Sequence, residues 1–115
     1  MDLKITNREV NGVSVVALDG RIVLGEESNA LREKLKDLVA QGRKSIVLNM
    51  HNITYIDSAG LGALIAAHYF ARTQGVSLRL SDLGGNFQEV LQVTRLLTVF
   101  EVSDTETVAL ASFSE

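Results

Sequence analysis

Ser45-Ile46-Val47-Leu48-Asn49-Met50, then the run from Ser58 to Gln74, then Val76-Ser77-Leu78-Arg79-Leu80-Ser81 decide the fold. The first piece is short and almost continuously apolar, as a strand covered on both faces is. The second carries Leu61, Leu64, Ile65 and His68 on one stripe at helical spacing and closes at Gly75. The third alternates apolar and polar residues, the two-residue period of a strand. A strand, a helix and a strand in that order predict a parallel crossover unit with the helix packed on the sheet.

Upstream, Leu31, Leu35, Leu38 and Val39 share one face of a helix predicted over Glu26–Gln41, with Arg32, Glu33, Lys36 and Asp37 opposite. Glu26 and Glu27 fall in its first turn, where the helix dipole favours anions, and Gly42 stops it. Further upstream, Leu3 to Val10 and Val13 to Leu18 read as strands around Asn11-Gly12, two residues that accept the positive φ of a tight hairpin turn. Gly20 breaks the second run. Downstream, Asp82 to Gly85 reads as a loop, and Phe87, Val90, Leu91 and Thr94 give a short third helix. Val99 to Val102 is a last strand. Ser103-Asp104-Thr105-Glu106 matches a capping box opening a helix with Val108, Leu110, Ala111 and Phe113. The expectation is one α/β domain over residues 1–115, with a mixed, mostly parallel sheet, an N-terminal β-hairpin and about four helices. Its core should include Val15, Leu31, Leu35, Ile46, Leu48, Leu61, Leu64, Ile65, Leu78 and Leu80.

The composition narrows the function. A formal charge of −3 with scattered basic residues disfavours nucleic acid, whose phosphates need clustered Lys and Arg. The chain has no cysteine, which excludes disulfides, thiolate catalysis and thiolate metal sites. No signal-like apolar stretch opens the chain, and Ala59 to Ala67 is too short to span a membrane, so a cytoplasmic protein is expected.

Chemistry concentrates in Tyr55-Ile56-Asp57-Ser58-Ala59-Gly60-Leu61-Gly62-Ala63-Leu64, at the start of the second helix. Ser58 reads as its N-cap, accepting from the N–H of Gly60 or Leu61. Glycine in a helix costs about 1 kcal/mol relative to alanine, so Gly60 and Gly62 need a reason. Close packing on the sheet is one; close approach of a partner backbone or a phosphate is another. A hydrolase elbow is disfavoured: the glycine leading Ser58 is missing, His68 lies on the apolar stripe, and His51 beyond the strand end comes with no oxyanion loop. Gly60-x-Gly62 lacks the third glycine of a dinucleotide site, and two isolated histidines make no metal site. No catalytic residue, cofactor or metal is expected. A phosphate on Ser58, carrying about −1.5 to −2 charges, would sit at a helix N-terminus that tolerates it and beside Asp57.

Asp57-Ser58-Ala59-Gly60-Leu61-Gly62, after Ile46-Val47-Leu48-Asn49-Met50 and Ile53-Thr54-Tyr55-Ile56, resembles the anti-sigma factor antagonists of the STAS superfamily. Leu18-Asp19-Gly20-Arg21-Ile22 resembles the family's second strand and turn, and Ala30, Leu31 and Leu35 its first long helix. The resemblance implies a binder without enzymatic activity. Its partner would be an anti-sigma factor that is also a serine kinase; binding releases the sigma factor. Phosphorylation of Ser58 ends binding, and a phosphoserine phosphatase restores it. The partner face would comprise Arg21, Val23, Gly25, Glu26, Glu27 and Ser28 from the loop, with Asp57, Ala59, Gly60, Leu61 and Gly62 from the helix start. Val23 stands where many members carry an aspartate, in a loop one residue longer, with Glu26 or Glu27 as substitutes. The alternative is a scaffold or transport-complex subunit of the same fold that is not phosphorylated, with Ser58 as a mere cap.

Overall fold

The computed structural model describes residues 1–93, 95 and 99–113. The chain begins as a hairpin of β1 (Leu3–Val10) and β2 (Val13–Ile22). Asn11 (φ 52°) and Gly12 (φ 83°) turn it, so Val10 pairs with Val13. The strand β2 runs through Gly20 to Ile22 rather than ending near Leu18, because Gly20 continues the ladder opposite Leu3. A Cβ at Gly20 would lie 2.0 Å from the Asp2 carbonyl oxygen, so only glycine lets the two strands close here.

There follow α1 (Glu26–Ala40), β3 (Ser45–Ile56), α2 (Ser58–Thr73), β4 (Ser77–Ser81), α3 (Gly85–Val93), β5 (Glu101–Ser103) and α4 (Glu106–Ala111). The sheet order is β1-β2-β3-β4-β5, antiparallel between β1 and β2 and parallel elsewhere. The mixed α/β fold is as expected. The third strand is twice its expected length and carries His51, which therefore lies within it. Polar His51 and Asn52 interrupt the apolar run, yet they continue the β2 ladder through two register shifts. On its other side β3 pairs with β4 only as far as Asn49.

Helices α1, α2 and α3 cover one face of the sheet. There Leu18, Ile22, Leu31, Leu38, Ile46, Leu48, Leu64, Leu80 and Leu91 are fully buried. Val15, Leu35 and Leu78 are buried as expected, whereas Leu61 and Ile65 are half-buried on the rim of that core. The other face carries the short α4 over a small cluster of Val13, Val47 and Ala109. The N-cap of α4 is Thr105, whose hydroxyl accepts from the Val108 N–H, not Ser103. Glu106 does not fold back to close a capping box; it pairs with Arg8 and accepts from the Asn49 amide. Ala109 takes the buried position, leaving Val108 and Ala111 exposed and Leu110 and Phe113 half-buried. The last strand starts at Glu101 rather than Val99, and α3 starts at Gly85, with Phe87 half-buried and Val90 exposed. Thr94, expected in that helix, lies outside the described residues. Among the described residues no helix is long and apolar enough to cross a membrane.

Candidate functional site at the start of the second helix

Parallel strands β2 and β3 end side by side, and the chain leaves each toward a helix. This brings the β2–α1 loop against the first turn of α2. Asp57 joins them. Its backbone is extended (φ −91°, ψ −179°), and its N–H donates to the Ile22 carbonyl at 3.3 Å. One carboxylate oxygen accepts from the Gly60 N–H at 2.7 Å and the other from the Leu24 N–H at 3.0 Å. Asp57 is therefore the N-cap of α2, and Ser58 is its first helical residue. Aspartate caps at least as well as serine, and the second Asp57 oxygen also reaches the facing loop at Leu24. The Gly60 N–H, then the Leu24 N–H, hold the Asp57 carboxyl below its ordinary pKa.

The cap leaves the Ser58 side chain exposed. Gly60 is buried, and a Cβ there would stand 1.9 Å from the Ile22 carbonyl oxygen. Close packing on the end of β2 is thus the reason for the first glycine. Gly62 is exposed and a Cβ on it meets nothing within 4 Å, so packing does not require the second.

The loop is held from both ends. Ser28 donates both its hydroxyl, at 2.7 Å, and its N–H, at 3.1 Å, to the Val23 carbonyl. Gly25 turns with φ 104°, which favours glycine. The Glu27 carboxylate accepts the Asp2 N–H at 2.7 Å, and that bond holds its pKa below the ordinary value. The Arg21 N–H donates to the Asp2 carbonyl at 2.8 Å, and its guanidinium lies 5.4 Å from the Tyr55 ring centroid. Glu27 and Ser28, expected on the partner face, are buried; Ser28 bonds within the loop to Val23, and Glu27 reaches back to Asp2. Arg21, Gly25 and Glu26 are exposed; Val23, Ala59 and Leu61 are half-buried.

Sequence reasoning left Leu24 and Tyr55 off the partner face. Leu24 is 77% exposed beside the cap, and Tyr55 is 53% exposed. A lone apolar residue before a loop glycine carries no periodic signal. It also missed a cleft of about 580 Å³ beside Ser58, walled by the end of β3 and by α3. His68, expected at the core edge, is buried with its ring edge-on to Phe100 at 5.6 Å and to Tyr69 at 5.2 Å. Burial holds its pKa below the ordinary value. Among the described residues no three His, Asp or Glu side chains cluster as metal ligands would.

The family model of the STAS domain matches residues 4–109. The chain belongs to the STAS domain family. Among STAS relatives, BtrV of Bordetella bronchiseptica, a candidate anti-sigma factor antagonist, is 30% identical over 96% of this chain and 95% of its own length. A candidate anti-sigma factor antagonist of Thermotoga maritima shares the fold with a TM-score of 0.88 at 19% identity, over 96% of this chain and 95% of that one. The Bacillus cell fate determinant SpoIIAA, solved in its phosphorylated form, does so at 0.72 and 19% identity, over 96% of this chain and 99% of its own. In STAS terms, the strand-loop-helix segment read from the sequence is the junction that Asp57 builds, with a free hydroxyl at its surface.

Proposed function

We propose that this protein is an anti-sigma factor antagonist that binds a serine-kinase anti-sigma factor in the cytoplasm and releases the sigma factor. Phosphorylation of Ser58 ends the complex, and a phosphoserine phosphatase restores the binder. One observation carries this reading. The segment Asp57-Ser58-Ala59-Gly60-Leu61-Gly62 presents Ser58 as an exposed hydroxyl on the first residue of α2, freed from capping by Asp57. The names of relatives such as BtrV support it, as does the phosphorylated form of SpoIIAA.

The switch is electrostatic. Asp57 already uses the Gly60 N–H, so a phosphate on Ser58 meets a helix end with one donor taken and a carboxylate beside it. The added charge stays at the surface and faces the partner. Arg21, Val23, Leu24, Gly25 and Glu26 supply the loop side of that face, and Ala59, Leu61 and Gly62 the helix side. Glu27 and Ser28 act by holding the loop in shape.

The test is incubation with serine-kinase anti-sigma factors and ATP, with the phosphate located by mass spectrometry and affinity measured for both forms. Phosphate on Ser58 alone and a loss of about 2–3 kcal/mol in binding, roughly thirty- to more than a hundredfold, are expected. Equal affinity of the two forms would overturn the switch. Stable partner binding with no phosphate incorporated would favour the scaffold reading.

A further inference from the structure

Among the described residues, the strand β3 has a neighbour on one side only beyond Asn49. Its residues to Ile56 pair with β2, while β4 stops at Ser81 opposite Asn49. Among the described residues nothing takes the place of β4 along this stretch. The Asp57 N–H turns toward β2 to meet the Ile22 carbonyl. Successive N–H groups of an extended chain point to opposite sides, so that of Ile56 faces away from β2.

The cleft of about 580 Å³ runs along this open edge. Residues 53–58 line it in unbroken succession, together with Gly85, Phe87 and Val90 of α3. A strand's face offers every second residue, whereas its edge offers them all, so the cleft follows the backbone of β3. Its opposite wall begins with two glycines. Neither Gly84 nor Gly85 has positive φ, and a Cβ on either meets nothing within 4 Å. The Gly84 carbonyl accepts the Gln88 N–H at 2.9 Å, a helix-start position where glycine is common, but neither positive φ nor packing calls for glycine at Gly85. What the missing side chains provide is room for another backbone to come close.

The charges select the occupant. Among the described residues of the lining Asp57 is the one ionised group, and both of its oxygens are engaged by Gly60 and Leu24. Such a groove gives a charged side chain nothing to pair with, and its open edge asks for backbone donors and acceptors. We propose that the groove between the end of β3 and α3 takes an extended, uncharged peptide segment of a partner protein as an added strand, its alternate apolar side chains against Phe87 and Val90. The groove adjoins Ser58, yet the inference does not depend on that serine being phosphorylated.

The probe is an array of end-blocked octapeptides alternating Val, Ile or Leu with Thr, offered to the full chain. Matched arrays carry N-methyl groups on alternate amides or Lys at the apolar positions. Peptides of the first array are expected to bind, to shift the amide resonances of residues 53–56, and to slow exchange of the Ile56 amide. N-methylation and lysine should each weaken binding at least tenfold. Gly85→Leu, which fills the groove with a good helix former, should abolish binding while leaving the melting temperature unchanged or higher. Binding indifferent to N-methylation, binding retained by Gly85→Leu, or no binding by any member would overturn the proposal. Failure of kinase-dependent phosphorylation would leave these results standing, and the converse also holds.

Discussion

Replacing Gly60 and Gly62 in turn by alanine should have opposite effects, although the two glycines stand two residues apart in one helix. At Gly60 the new methyl meets a backbone carbonyl that cannot swing aside, so a loss of about 1–3 kcal/mol is expected in denaturant unfolding. At Gly62 the methyl enters open space and removes a helix-weakening glycine, so a gain of about 0.5–1 kcal/mol is expected. The same experiment on Gly62→Ala tests the partner face: stability should rise while affinity for the anti-sigma partner falls. Ser58→Ala should shift stability by less than about 0.5 kcal/mol, because an exposed non-capping side chain is lost. Asp57→Ala should lower the melting temperature clearly more, since it frees both the Gly60 and Leu24 N–H groups. The sequence pointed to Ser58 as the cap, and the structure gives that role to Asp57. Adjacent residues of similar capping strength are not separable by type; which one is extended depends on where β3 ends.

At the scale of the element, the β2–α1 loop is fastened by two carboxylates whose acceptors hold backbone N–H groups, Glu27 on Asp2 and Asp57 on Leu24. Both pKa values are lowered by folding. The unfolded chain therefore takes up these protons first as pH falls. The stabilisation is complete above the ordinary carboxylate range near about 4 and is lost as pH drops through the folded values. Melting temperature followed from neutral pH into that range should fall, and less steeply in Asp57→Asn and Glu27→Gln, which have nothing left to titrate there. An unchanged slope in both variants would contradict the fastening. The acidic first turn of α1 was legible as a dipole contribution; that Glu27 reaches Asp2, far away along the chain, was not. The length of β3 was hidden for a related reason. Its second half borrows its hydrogen bonds from β2 and buries little, so it lacks the apolar pattern that marks strands.

Across the whole molecule the three-helix face of the sheet carries the core, and Leu48 on the central strand is fully buried in it. Leu48→Ala should cost about 2–5 kcal/mol, a large part of the stability of a domain this size, while Val108→Ala on the exposed side of α4 should stay within about 0.5 kcal/mol. Chemical denaturation of the two variants side by side checks the contrast. The order of strands and helices, the hairpin at Asn11-Gly12, most of the core and the segment around Ser58 were determined by the sequence alone. Each rests on periodicity or on local backbone preference, and these act among residues close in the chain. The tertiary structure alone decided that Asp57 caps α2 and grips Leu24, that Gly60 is excluded from bearing a side chain by Ile22, that Glu27 turns inward, and that β4 stops at Ser81 opposite Asn49, short of the end of β3. Those facts depend on which distant segments meet and where neighbouring strands stop, and no pattern within a few residues encodes such distances.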